Sequence, residues 1–262
     1  LGENLPKSAI VPNRNARRRP QRFAAWQVLR DTEDVEHIAE NLVSVEERMA
    51  AALARCGRKR DEITLIAVTK TFPAAVTQAA WAAGLRDFGE NYVQEFEGKS
   101  LELQGLAGAR YHLIGHLQSN KVNKAVPLFD CVQTVDSLRL ATRLAGALAN
   151  AGKQNLDLMI EVKLSEEESK HGCAPEDLPA LVEGIRGTQG ITLLGLMTMP
   201  PFFDEPERGR PYFARLRELA AKHSLRALSM GMSNDFEVAI EEGATHIRLG
   251  TVLFGRRPRP AG

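Results

Sequence analysis

The sequence is short of the features that would tie it to a membrane, a metal or an oxidising compartment. It has three cysteines, Cys56, Cys131 and Cys173. They are odd in number, far apart and form no Cys-x-x-Cys pair, so neither a disulfide framework nor a zinc site is expected. No apolar run approaches the ~18 residues of a membrane span, and no signal peptide is visible. Excess charge is missing too, because 34 basic and 33 acidic side chains leave a formal charge of +1. That balance argues against a general nucleic-acid or membrane-surface role, so any anion bound here is small and locally held. A cytoplasmic setting without a metal is the expectation. What the chain does have is apolar content, 44% of 262 residues, enough for one large core.

Residues 1–33 stand apart from the rest. Arg14, Arg17, Arg18, Arg19, Arg22 and Arg30 crowd a stretch interrupted by Pro6, Pro12 and Pro20. Poor in Ser and without an initial Met, it reads as a disordered or non-native leader rather than a targeting presequence. The fold is expected in 34–258 as one domain, with 259–262 a short tail. From Val35, the residues Ile38, Leu42, Val45, Met49 and Leu53 recur at helical spacing. They predict an amphipathic helix ending near Cys56-Gly57.

Beyond that helix, short apolar runs alternate with helical stretches. Strands are expected at 63–70, 86–89, 111–114, 131–135, 156–162, 192–196, 227–230 and 246–249, each followed by a helix or helical turn. Ser137 is placed to cap the helix that follows the fourth strand. Strands alternating with helices imply right-handed βαβ units and a parallel sheet. Eight of them imply a closed (β/α)8 barrel with an extra N-terminal helix. A doubly wound open sheet is the competing architecture, but no Gly-x-Gly-x-x-Gly follows a strand.

In such a barrel reactive side chains sit at the C-terminal ends of the strands. Strand one ends in Lys70. A lysine there either marks where the strand meets water or is an amine held at the barrel mouth to form a Schiff base. The loops after strands seven and eight are the usual phosphate seat of these barrels. Ser233 is placed to cap the helix starting near Asp235, while Gly250 and Thr251 offer close backbone approach and a second hydroxyl. Each has a plainer reading, a helix cap and a turn. A strand-one lysine together with a phosphate seat suggests pyridoxal 5′-phosphate (PLP).

The segments 65–70 (LIAVTK), 89–95 (GENYVQE), 112–121 (HLIGHLQSNK), 196–200 (LMTMP) and 229–251 (SMGMSNDFEVAIEEGATHIRLGT) carry a resemblance. Over about 35–258 the chain resembles the PLP homeostasis protein family, which has the fold of the alanine racemase N-terminal domain. The resemblance implies that Lys70 is the Schiff-base lysine. It also implies that Asn91, Met232, Ser233, Gly250 and Thr251 border the cofactor and its phosphate, and that Arg248 faces the pyridine nitrogen.

Arg248 separates carrier from catalyst. Enzymes that use PLP as a strong electron sink usually pair the ring nitrogen with a carboxylate, whereas a guanidinium disfavours a proton on the ring. Racemases of this type also need a second acid/base from an added domain, and the chain ends at Gly262. Of Tyr92, Tyr111 and Tyr212, Tyr92 could reach the mouth, and His116 is the best remaining proton carrier. The expectation is a monomeric PLP carrier in vitamin B6 homeostasis with no catalytic residue, whose recipients are apo PLP-dependent enzymes. An amino-acid racemase is the alternative, and a PLP-free aldolase fits less well. Lys170, after Glu166-Glu167-Glu168-Ser169, reads either as a solvated lysine or as a second PLP site.

Overall fold

A computed structural model describes residues 21–165 and 171–255, with side chains from Val35 onward. Lys170, the first twenty residues and the 259–262 tail lie outside the described residues. The chain opens with α1 (Gln21–Cys56) and then alternates β1 (Thr64–Val68), α2 (Ala74–Ala82), β2 (Asp87–Glu90), α3 (Val93–Ser100) and β3 (Arg110–Leu113). It continues through α4 (Val122–Leu128), β4 (Cys131–Val135), α5 (Leu138–Ala147), β5 (Leu156–Glu161) and α6 (Leu178–Arg186). The last units are β6 (Ile191–Met197), α7 (Arg210–Lys222), β7 (Ala227–Met232), α8 (Phe236–Glu241), β8 (His246–Leu249) and α9 (Thr251–Phe254).

Among the described residues the eight strands close into one parallel barrel. Closure is made by β1, which pairs with β2 on one side and with β8 on the other, Thr64 opposite His246 and Ala67 opposite Leu249. An open sheet is thereby excluded. β1 is buried along most of its length, which is why its sequence runs apolar without alternation. The main core lies between sheet and helices, and Cys131, Met159 and Met197 form a separate small cluster. Ser137 caps α5 as the sequence indicates, accepting the Leu140 amide at 3.4 Å. Gly195 is required by the barrel wall, because a Cβ there would run into the backbone of Ala227 on β7.

One element differs from the sequence expectation. α1 begins at Gln21, directly after Pro20, rather than at Val35. Pro20 is the last helix breaker, and the residues after it are ordinary helix formers. From Val35 on, α1 packs along the barrel flank, where Arg48 makes a bidentate pair with Glu237 at 2.8 and 2.9 Å. Asn41 donates to the Leu253 carbonyl at 2.9 Å, which ties α1 to α9. The helical turn expected after the last strand is α9. No helix among the described residues is long and apolar enough to cross a membrane.

Candidate functional site

Lys70 sits two residues past the end of β1, on a tight loop. The Thr69 amide donates to the Gly89 carbonyl at 3.0 Å, Phe72 N–H closes back on the Thr69 carbonyl, and Thr71 has φ +67. A non-glycine residue in that region is held by its surroundings rather than by its own preference. The Thr71 amide donates to Glu95 Oε1 at 2.5 Å. From behind, the buried Lys99 of α3 donates to the Thr69 carbonyl at 2.9 Å and the Phe72 carbonyl at 3.1 Å. Its ammonium also pairs with Glu90 Oε1 at 2.8 Å, and Thr69 Oγ1 donates to the same oxygen at 2.6 Å. Burial pushes the Glu90 carboxyl above the ordinary carboxylate range, and Lys99 draws it part of the way back. Sequence reasoning missed Lys99. Its one signal is the helical spacing from Glu95, an oxygen of which lies 3.7 Å away.

The seven residues singled out for cofactor contact all line one cavity of about 520 Å³ at the C-terminal mouth of the barrel. β1 and β2 contribute Lys70 and Asn91, β7 and the loop after it Met232 and Ser233, and β8 with its loop Arg248, Gly250 and Thr251. A bulge in β7 aims its end there. Ser229 pairs with His246 and Met232 with Arg248, so one extra residue is inserted. Gly231 takes φ +90 within that bulge, and a Cβ on it would come within 2.5 Å of the Ala239 Cβ. Only glycine serves there.

Ser233 does not cap α8. Asp235 holds the N-cap position without a side-chain cap bond, and its carboxylate accepts the Met232 amide at 2.6 Å. Because the bulge turns Ser233 toward β8, its hydroxyl oxygen accepts the Gly250 and Val252 amides, both at 3.3 Å. These bonds are longer than the ~2.9–3.0 Å typical of N–H···O pairs, so a stronger acceptor can replace the hydroxyl.

Arg248 is 3% exposed. Its Nη1 donates to Ser229 Oγ at 2.7 Å and its Nη2 to the Thr198 carbonyl at 3.0 Å. Burial pulls its pKa down to about 10, with Asp235 and Glu161 opposing, so the guanidinium stays charged at neutral pH.

A second chamber of about 350 Å³ adjoins the first and shares Met199 and Met232 with it. His116 lines this chamber rather than the first, its ring stacked on His171 with centroids 3.7 Å apart. Burial and the neighbouring His171 push the His116 pKa down. Tyr92 does not reach the mouth. It precedes α3 with 60% of its surface exposed, while Tyr111 packs on Phe88 and Phe96, and Tyr212 on Phe203.

Glu161, at the end of β5, was visible in sequence only as a strand residue. It lines the second chamber at 4% exposure, and burial raises its pKa to about 7. Between about pH 4.5 and 7 the folded chain therefore keeps a proton that the unfolded chain releases. Stability falls as pH rises through that window, by up to about 3 kcal/mol. Glu161→Gln is expected to remove this slope and to be the more stable protein at pH 8. Urea unfolding of both proteins at pH 5 and pH 8 measures it, and parallel pH profiles would contradict the assignment.

Comparison with known proteins gives a consistent result. The family model described as alanine racemase, N-terminal domain, matches residues 34–258. The chain is 47% identical over 222 residues to a pyridoxal phosphate homeostasis protein of Pseudomonas aeruginosa, covering 84% of this chain and 96% of that one. It is 42% identical to the protein of that name from Aquifex aeolicus, covering 83% and 97%. PipY of Synechococcus elongatus, solved with PLP bound, is 40% identical and superimposes with a TM-score of 0.74 over 83% of this chain and all of that one. Alanine racemase from Corynebacterium glutamicum is 16% identical, with a TM-score of 0.62 over 87% of this chain and 63% of that one, a likeness of fold alone.

Proposed function

The chain belongs to the pyridoxal phosphate homeostasis protein family, built on the alanine racemase N-terminal domain, and we propose on that footing that it holds PLP at the mouth of its barrel. Its role is to store and release the cofactor in PLP homeostasis, without turning over amino acids. The observation that carries this is that one cavity has Lys70, Arg248 and the Gly250–Val252 amide pair on its wall.

The residues present suit the group. When bound, PLP supplies an aldehyde that condenses with a primary amine and a ring that withdraws electrons from whatever is attached. Lys70 would be the amine for that aldehyde, on a loop whose Thr69 and Phe72 carbonyls and Thr71 amide are held by Lys99 and Glu95. Ser233, the two amides it gathers and the Thr251 hydroxyl hold the phosphate, and Gly250 leaves room for close approach. Asn91 and Met232 border the ring. Arg248 spends two N–H groups inside the barrel and keeps the others for the ring nitrogen.

The same arrangement favours carriage over catalysis. Arg248 only donates, so the ring nitrogen accepts and stays unprotonated, which weakens electron withdrawal. No tyrosine or histidine is among the described residues of the Lys70 cavity, and its one carboxylate, Asp235, is engaged with the Met232 amide at 2.6 Å. The finer reading is a monomer that gives PLP up to apo PLP-dependent enzymes.

The test uses protein loaded with PLP. Mixed with an apo PLP-dependent enzyme, it is expected to restore that enzyme's activity. Given L- or D-alanine or serine, it is expected to yield no isomer above the rate of free PLP. Isomerisation at enzyme-like rates, lost in Lys70→Ala, would make the chain a racemase.

A further inference from the structure

Behind Arg248 a line of polar side chains crosses the barrel interior to its opposite end. Arg248 Nη1 donates to Ser229 Oγ at 2.7 Å, and Ser229 Oγ donates to Gln133 Oε1 at 2.6 Å. Gln133 Nε2 lies 3.1 Å from His112 Nδ1, and His112 Nε2 lies 2.9 Å from Asp87 Oδ1. Gln133 and Ser229 are fully buried and His112 is 1% exposed. An apolar interior would avoid the cost of placing these groups there, so their presence calls for a reason.

The bonds run in one direction along this line. Arginine can only donate, so the Ser229 oxygen accepts from it, and the Ser229 hydroxyl gives its own hydrogen to Gln133 Oε1. Gln133 then turns its oxygen to Ser229 and its NH2 to His112, which leaves Nδ1 an acceptor. From the other end, the Asp87 carboxylate can only accept, so His112 carries its proton on Nε2. With Nδ1 accepting from Gln133 and Nε2 donating to Asp87, the ring is the neutral Nε2–H tautomer. Turning the Gln133 amide around would set its oxygen against Nδ1 and demand a second proton on the His112 ring.

We propose that Ser229, Gln133 and His112 are positioning residues for Arg248, whose one-way chain fixes the orientation of the guanidinium so that its remaining N–H groups face the cavity and keep the cofactor's ring nitrogen an acceptor. This rests on the reading that PLP occupies the Lys70 cavity. The Thr198 carbonyl fixes the second arm of the guanidinium, itself held by Thr198 Oγ1 donating to the Val162 carbonyl at 3.0 Å. With both arms anchored, the plane of the guanidinium cannot swing. Removing a hydroxyl or amide one or two links away frees it, although neither group touches the cofactor.

The chain is tested first without PLP. Nitrogen-15 NMR of His112 in the unmodified protein is expected to give the neutral Nε2–H tautomer at neutral pH. An Nδ1–H or doubly protonated ring would overturn the chain's direction. Next, protein loaded with PLP labelled with nitrogen-15 in its ring is compared across Ser229→Ala, Gln133→Leu and Ser229→Thr. The wild-type ring nitrogen is expected to read as unprotonated. In Ser229→Ala and Gln133→Leu its affinity for a proton should rise about tenfold, moving the midpoint by about one pH unit. Ser229→Thr, which restores the hydroxyl, should return it toward the wild-type value. A purely structural loss would lower the yield of borohydride-stable adduct on Lys70 without moving that midpoint. Midpoints equal to wild type in both deletions would overturn the proposal. Absence of any adduct on Lys70 in the wild type would instead overturn the cofactor reading, leaving the His112 result to judge the chain.

Discussion

Lys70→Ala is expected to fold normally and to retain no PLP after borohydride treatment and gel filtration, whereas the wild-type protein keeps it on the peptide containing Lys70. Folding should survive because the side chain lies beyond the core and the loop around it is set by other groups. The Thr69 amide on Gly89, the Lys99 ammonium on two carbonyls and the Glu95 carboxylate on Thr71 all remain. Covalent retention should vanish because no other amine among the described residues has the same position. Lys99 is occupied with Glu90 and the loop carbonyls, and Lys163 faces the adjoining chamber. Lys70→Arg separates amine from charge. It keeps the cation yet cannot condense with an aldehyde at ordinary pH, so it should behave as the alanine variant does. Peptide mapping of the reduced wild-type protein decides the matter, and an adduct on Lys99, Lys163 or any other lysine would sink the proposal.

The parts of this site that could be read from sequence are those where one physical rule acts locally. β1 announces itself because burial on both faces demands an almost unbroken apolar run. Lys70, Ser233, Gly250 and Thr251 follow because the rim of such a barrel takes its chemistry from strand ends in order. What stayed hidden depends on register or on partners distant in the chain. The bulge at Gly231 rotates Ser233 from a helix cap into an acceptor for two amides, and a single inserted residue leaves no trace in periodicity. Gln133 and His112 look like ordinary strand residues until closure brings β3, β4, β7 and β8 around one axis. Glu161 is marked only by the alternation that turns it inward. Lys99 reads as an exposed helix residue because charged side chains on helices usually are exposed, and only the packing of α3 behind β1 and β2 gives it a carboxylate to meet.

Lys99 accordingly carries the largest stability prediction. Its side chain is 8% exposed and that of Glu90 is fully buried, so each is the other's main compensation for leaving water. Glu90 Oε2 has no hydrogen-bond partner among the described residues, which leaves Oε1, shared by Lys99 and Thr69, to hold the charge. Removing one partner of a buried pair is far more costly than never having had the pair, because the survivor stays buried and charged. Lys99→Met, which keeps the length and apolar stem, is therefore expected to lose about 3–5 kcal/mol in urea unfolding. The double variant Glu90→Gln with Lys99→Met should recover most of that, since the amide still accepts from Thr69 and carries no charge. Two carbonyls of the Lys70 loop lose their donor in both proteins. Weakened loading of PLP at Lys70 should thus persist in the double variant even after stability returns. Recovery of stability and loading together would mean that the lysine serves Glu90 alone, and a single variant as stable as wild type would mean that the pair contributes nothing. Persistence of the loading defect alone would make this buried cation the device that holds the reactive loop in its left-handed turn at Thr71.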